Sequence, residues 1–167
     1  DPVCLASPLR DVYKRQLSMT TFLVFLHVAA AILLIGPVCV STSSFQTQMA
    51  KAAQGEHAAL GSARVLHNIT NTYGYISAIV PILGLGVFLS DISAYKSEVN
   101  FHIAILVAIV AWCLLFFVII PKQKKAMASL ESNETFDYAA AKKPLSAFGG
   151  VFNLLWIICL ILMYVHF

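Results

Sequence analysis

The sequence predicts an all-α integral membrane protein in which four spanning helices pack as one bundle. Hydrophobic residues make up 59% of the chain and charged residues only 11%, whereas an average soluble domain has about 25% charged residues. The mean hydropathy is +0.81. Four runs reach the length of about 20 apolar residues that a transmembrane helix needs. These runs are apolar all round, whereas helices of a soluble bundle have a charged face.

The first eighteen residues are predicted to be a non-native leader. The segment DVYKRQ, Asp11 to Gln16, back-translates into a sequence that resembles the end of a transposase-based sequencing adaptor, and the preceding DPVCLASPLR has the same character. A native basic segment before a signal peptide or anchor is the alternative. We favour the leader because Met19, followed by two threonines and a clean apolar run, is a complete start in itself. Residues 19–167 then form a single four-helix transmembrane domain.

The first predicted span covers about 20–40 and contains His27 and then Gly36-Pro37, where the proline predicts a kink. The second covers about 69–89. A stripe of small and polar residues at helical spacing begins just before this span and continues into it. We interpret this stripe as a packing face, with a polar path or pocket as the alternative. Its members are His67, Asn71, Gly74, Ala78 and Pro81. Pro81 also predicts a free carbonyl at Ser77, and therefore a hinge or a ligand contact.

The third predicted span covers about 102–120 and stops at Pro121, and the fourth covers about 148–165. Gly149 and Gly150 predict close packing of the fourth helix, and Asn153, one turn inside the bilayer, needs a polar partner.

The connections between the spans differ in length and charge. The first, about 47–64, either extends the first helix beyond the bilayer or lies on its surface. The third, about 122–147, is the longest and most charged. Within it SNETFDYAAAKKP is predicted to be a short helix that Pro144 stops, since its acids come early and its lysines late.

The distribution of basic residues predicts the orientation. The first and third connections together carry seven lysines and arginines, and the second carries only Lys96. We therefore expect a multi-pass protein of the bacterial cytoplasmic membrane, with loops 47–64 and 122–147 in the cytoplasm and both termini outside. The net charge of +3 is small and unclustered, which gives no support for nucleic-acid binding.

Histidine is the only residue type that suggests a cofactor. His27 is the only ionisable residue well inside a span, and such a residue is a functional candidate by default. His102 and His166 lie at the same outer interface, and two facing histidines can hold a b-type haem or contribute to a metal site. Because no ligand spacing is diagnostic, we favour a His27 that bonds to a neighbouring helix over haem or metal ligation and over a proton relay.

Other chemistry has little support in the sequence. There is no hydrolase triad, phosphate loop or pair of carboxylates, so no catalytic residue is predicted. Every aspartate and glutamate of residues 19–167 lies in a connection between two spans. The spans therefore contain no carboxylate, which argues against an ion-coupled transporter. The cysteines form no CxxC pair and are expected to act as small apolar residues.

Three stretches together resemble a family of small predicted integral membrane proteins of actinobacteria, corynebacterial in type, that is classed as a domain of unknown function. They are MTTFLVFLHVAAAILLIGPV, LHNITNTYGYISAIVPILGLGVFL and FGGVFNLLWIICLILMYV. The resemblance implies a four-helix membrane protein without an established activity. The run around His27 is also loosely similar to families linked to copper resistance and to haem-dependent porphyrinogen oxidation, but their further intramembrane histidines and basic residues do not occur here.

The sequence therefore leaves three functions open. The favoured one is a structural or accessory subunit that packs on a larger membrane complex through its second and fourth helices. The second is a haem- or metal-binding membrane protein that uses His27 with His102. The third is a small transporter or channel that works as a homo-oligomer.

Overall fold

A computed structural model describes residues 2–96, 98–132 and 134–164, without the side chains of residues 2–10, 94 and 95. All regular elements described there are helical. They are α1 (Pro2–Ala30), a π-helical turn (Ala31–Ile35), α2 (Gly36–Ala53), α3 (His57–Ile76), α4 (Ile79–Ser90), α5 (Ile92–Tyr95), α6 (Val99–Leu114), a second π-helical turn (Leu115–Ile119), α7 (Ile120–Ser132) and α8 (Tyr138–Tyr164).

These elements join into four long helical units, which confirms the predicted all-α four-helix architecture. Each unit within the described residues is long and apolar enough to cross a membrane, so the chain is a multi-pass membrane protein. The units are Asp11–Ala53, His57–Ser90, Val99–Ser132 and Tyr138–Tyr164.

The helices continue well beyond the predicted spans. α2 runs to Ala53, and a short turn through Gly55, whose φ of 92° suits glycine, leads into α3. Of the two alternatives for the first connection, the extended helix is therefore the correct one. The third helix likewise continues past Pro121, where its predicted span ends, because α7 carries it on to Ser132.

The prediction of a separate short helix ending at Pro144 is also wrong. Its last residues form the first turns of α8, which runs through Pro144 to Tyr164. The Asp137 side chain caps this helix by accepting a hydrogen bond of 2.9 Å from the Ala140 N–H. Pro144 is tolerated because it comes in the second turn, where it removes only the bond to the carbonyl of Ala140, an exposed residue.

Prolines explain the irregular turns of the other three units. Each π-helical turn ends two residues before a proline, Pro37 or Pro121. Proline has no N–H, and its ring crowds the carbonyl four residues back, which here lies inside the wider π-helical turn. In the second unit α3 ends before Pro81, but the Ser77 carbonyl accepts a bond of 2.9 Å from the Val80 N–H. The prediction of a free carbonyl at Ser77 is therefore wrong.

One end of the molecule is a compact bundle that we call the stalk, formed by residues 41–70, 123–132 and 138–149. Its apolar core lies between the helices and includes Phe45, Met49, Ala63, Ala126, Met127 and Leu145. Charged residues such as Lys51, Lys124 and Glu131 are exposed on its outside. The stalk has the apolar interior and charged exterior of a soluble bundle, and it lies largely beyond the predicted spans.

The remaining parts of the four units form the membrane section. Next to the stalk, a second apolar cluster brings three units together, with Val38, Ala111, Leu115, Ile119, Ile120 and Phe152 as its buried members. Farther away, α6 packs mainly on α8, and α1 packs mainly on α4. We call residues 20–30 with 79–90 the wing. No described side chain of α1 is fully buried, so this helix lies at the edge of the molecule.

Candidate functional site

A layer of buried polar side chains separates the two apolar clusters. It consists of the buried Ser41, Thr42, Gln46, Thr70 and Gln123 and the partly buried His67, which come from α2, α3 and α7. Across the α2–α3 contact, the Thr70 hydroxyl donates to the Ser41 hydroxyl over 2.8 Å. Across the α3–α7 contact, the His67 Nδ1 lies 3.3 Å from the Gln123 Oε1. We refer to these six residues as the polar layer.

Glycine allows α8 to reach this layer. A Cβ atom built on Gly149 would lie 2.6 Å from the Thr42 carbonyl oxygen, so only glycine fits without a backbone shift. The adjacent Gly150 has no atom within 4 Å of its Cβ position. Gly74 is also in close contact, since its Cβ would lie 3.2 Å from Leu115 Cδ2. Two of the three predicted packing glycines of α3 and α8 thus lie against neighbouring helices.

Two side chains of the polar layer contain buried atoms without a hydrogen-bond partner. They are the Oε1 of Gln46 and the Nε2 of Gln123, in residues that are 5% and 0% exposed. A buried polar atom left unpaired costs about 1–3 kcal/mol. The layer contains no carboxylate and is closed by apolar clusters on both sides. Its geometry suits holding the helices in one register better than conducting ions.

Gln123 belongs to the polar layer although the sequence predicts a charged loop at this position. A signal for its burial is nonetheless present, because Ile119, Gln123, Ala126 and Leu130 recur at helical spacing. The adjacent lysines 122, 124 and 125 point elsewhere on the helix and are exposed.

Asn153 is bonded across the α2–α8 contact. Its Nδ2 donates to the Ser43 hydroxyl over 2.6 Å, and this hydroxyl donates to the Cys39 carbonyl over 2.8 Å. The Oδ1 of Asn153 is buried and has no partner. The predicted need of Asn153 for a polar neighbour is therefore met in part.

His27 joins the two helices of the wing. Its Nδ1 lies 3.0 Å from the Val80 carbonyl oxygen, and since a carbonyl only accepts, Nδ1 is the protonated nitrogen. The ring also lies against Gly84, where a Cβ atom would come within 3.1 Å of His27 Cε1. This is the geometry of a histidine bonded to a neighbouring helix, the alternative that the sequence favoured.

His102 has a different setting. Its Nδ1 donates to the Glu98 carbonyl of its own helix over 2.9 Å, and its exposed ring meets the Phe88 ring edge-on at 6.2 Å. The described side chains show no hydrogen bond or ring contact between His27 and His102. They also contain no group of three or more His, Cys, Asp or Glu residues that could hold a metal ion. His166 lies outside the described residues, and haem ligation stays a prediction.

The predicted packing stripe divides at the break between α3 and α4. His67 and Asn71 are partly buried and Gly74 is buried, but Ala78 and Pro81 are exposed. Ala78 and Pro81 therefore do not pack on another helix of this chain, because the break at Ser77 and Ala78 interrupts the helical phase, and a packing role for them stays a prediction. α4 instead turns Val80, Gly84 and Val87 inward. In the first unit, Gly36 has no atom within 4 Å of its Cβ position, and Pro37 follows the π-helical turn.

The two tryptophans pack together where α6 and α8 meet. Their rings are 5.0 Å apart and edge-on, and the Trp112 N–H donates to the Ser77 hydroxyl over 3.2 Å. The indole nitrogen of Trp156 is buried and has no partner. This contact ties the α3–α4 break to the third and fourth units.

No family model, curated protein or solved structure matches the chain. Membership of the actinobacterial family therefore stays a prediction from the three stretches that resemble it.

Proposed function

We propose that this protein is an accessory subunit of a larger membrane assembly and that the wing is its docking surface. The observation that carries this proposal is the position of α1, which packs mainly on one other helix. In the stalk, by contrast, each helix buries one face against its neighbours.

Polar contacts fix the orientation of α1 on α4. Thr20 donates to the hydroxyl of Ser90 over 3.0 Å, and His27 donates to Val80 near the other end. Such contacts between membrane helices are worth about 0.6 kcal/mol each. They hold α1 in one rotation, so its free flank presents a constant apolar surface, as recognition of a partner helix requires.

The free flank consists of large side chains. Phe22, Phe25 and Val28 are 59%, 66% and 47% exposed. Exposure to lipid costs little, because lipid tails are as apolar as these side chains. The combination of a fixed rotation with an uncovered flank is what supports a docking role, and the sealed polar layer makes a transport path through the bundle less suitable.

The orientation with the stalk in the cytoplasm belongs to this proposal. The seven basic residues of the first and third connections lie on or next to the stalk, against Lys96 alone in the second connection, and basic residues favour the cytoplasmic side. A reporter enzyme that works only in the cytoplasm should be active when it is fused within residues 122–147, and one that works only in the periplasm should be inactive there. A periplasmic readout at this position would reverse the orientation.

Photo-crosslinking in native membranes tests the docking role. A photoreactive residue at Phe25 should give one adduct of constant mass, whereas the same residue at Leu160, which is 69% exposed on α8, should give only lipid adducts. An adduct of twice the chain mass would identify a second copy as the partner. No protein adduct at Phe25, or equal adducts at both positions, would contradict the proposal, and solute flux in liposomes would favour the transporter instead.

A further inference from the structure

We propose that α8 binds the phosphate of an anionic phospholipid where the helix passes from the stalk into the membrane. The site is a shallow depression of about 460 Å³, lined by Ala139, Lys142, Lys143, Ser146 and Ala147. We call it the basic depression. Two ammonium groups and a hydroxyl on one stretch of helix are donors that suit a phosphate group.

The lysines of the basic depression differ from three other basic residues on or beside the stalk, which already have partners. Lys122 and Lys125 lie over the rings of Phe148 and Phe136, at 5.9 and 6.0 Å. Arg64 is paired with Glu131 at 2.9 Å. Neither Lys142 nor Lys143 has a carboxylate or a ring as partner among the described residues, so both ammonium groups are available to an anion.

The nearest carboxylates along the chain do not neutralise this surface. Asp137 caps α8 by accepting the bond from the Ala140 N–H, and among the described residues it forms no ion pair with Lys142 or Lys143. Glu134 lies before the first residue of α8, farther along the chain from the predicted span than either lysine, and it forms no ion pair with them among the described residues.

The position along α8 indicates a lipid rather than a free anion. Lys143 is five residues before Phe148, where the predicted span begins, which is about 7.5 Å along the helix axis. This is the depth of the headgroups that border the hydrocarbon core.

On the side of the basic depression toward the predicted span, the surface of the same helix has room for an acyl chain. Gly150 has open space at its Cβ position, and Val151 and Leu154 are 47% and 54% exposed. The basic depression is thus continuous with an apolar surface that begins at Gly150. A molecule with a phosphate group and a hydrocarbon tail would fit this combination. An anionic lipid suits it better than a zwitterionic one, which carries its own cation beside the phosphate.

Lipid selectivity of the full chain tests this inference. The purified protein in nanodiscs would be mixed with spin-labelled phosphatidylglycerol or spin-labelled phosphatidylcholine, and the motionally restricted fraction compared. We expect a preference for phosphatidylglycerol that falls in K142Q/K143Q by roughly fivefold per lysine. The matched control K51Q/K124Q removes the same charge from exposed lysines elsewhere on the stalk and should keep the preference. Circular dichroism would verify that both variants are folded.

Two further arms distinguish a lipid site from a site for a free anion. Gly150→Leu should weaken phosphatidylglycerol binding, and inorganic phosphate at millimolar concentration should not displace the lipid. No preference in the parent chain, an equal loss in both double variants, or an unchanged preference in K142Q/K143Q would each overturn the inference. Displacement by inorganic phosphate alone would also overturn it, because the site would then bind a free anion.

Discussion

The stalk and the wing show two ways in which one chain assembles helices. In the stalk, Phe45 and Met49 are fully buried and the charges lie outside. In the wing, Phe25 is 66% exposed and polar contacts hold the two helices together. Water drives apolar side chains together, whereas lipid provides no such drive between helices. The difference indicates that the stalk supplies most of the stability of the fold, and it is consistent with the docking role that we propose for the wing.

The largest difference is expected from the same substitution in both regions. Phe45→Ala removes a fully buried ring from the stalk core and should lower the free energy of unfolding by about 3–5 kcal/mol. Phe25→Ala changes an exposed ring in the wing and should cost less than about 0.5 kcal/mol. Denaturant unfolding in mild detergent, followed by circular dichroism, measures both. Equal losses would show that the wing contributes as much stability as the stalk.

Adjacent glycines on α8 sharpen the comparison at the boundary of the stalk. Gly149→Ala places a methyl group 2.6 Å from the Thr42 carbonyl oxygen and should cost about 1–3 kcal/mol through overpacking. Gly150→Ala meets open space and should be neutral or slightly stabilising, because alanine favours helix. The same unfolding assay compares them. If Gly149→Ala were neutral, the close α2–α8 contact would not exist.

His27 provides a smaller effect within the wing. His27→Ala removes the bond to the Val80 carbonyl and should cost about 0.6 kcal/mol, whereas exposed His102→Ala should cost less. A reduced-minus-oxidised visible spectrum and metal analysis on the same samples address the haem hypothesis. We expect a flat spectrum, because Gly84 lies directly against the His27 ring. A Soret band that disappears in both variants would establish these histidines as haem ligands.

The smallest effect should come from the surface of the stalk. Arg64 and Glu131 form an ion pair of 2.9 Å, with side chains 53% and 47% exposed. A double-mutant cycle with Arg64→Ala and Glu131→Ala should give a coupling of at most about 0.5 kcal/mol, and salt should weaken it further. A coupling several times larger that resists salt would mean that this surface is covered by something other than water.

The sequence predicts the spans well, because apolar length alone identifies them. It fails at the stalk, where the helices leave the apolar windows and change to an amphipathic pattern. Pro121, Pro144 and the lysines around Gln123 are typical of helix ends or loops, yet all of them lie within helices here. Only the helical spacing of Gln123 with its apolar neighbours indicates the continuous helix.

The wing could not be predicted from the sequence. A helix that is apolar all round gives no indication of which face meets protein and which meets lipid. The bond between His27 and Val80 depends on the rotation of two such helices. The polar layer could be predicted only in part: helical spacing indicates the burial of Gln123, but its meeting with Ser41 and Thr70 could not be predicted, since the three residues come from three units and share no local motif.

The π-helical turn at Ala31–Ile35 makes the chain sensitive to its length as well as to its composition. The wider turn accommodates one additional residue, and a single residue corresponds to about 100° of rotation in an α-helix. Deleting one residue there would restore a regular helix and leave every other side chain of the unit chemically unchanged. Because the wider turn absorbs that residue, the wing would keep its rotation relative to the stalk and His27 would still face Val80, whereas inserting one residue would turn His27 away from Val80 by about 100°. The rotation of the free flank of α1 relative to the stalk therefore depends on the number of residues in this segment.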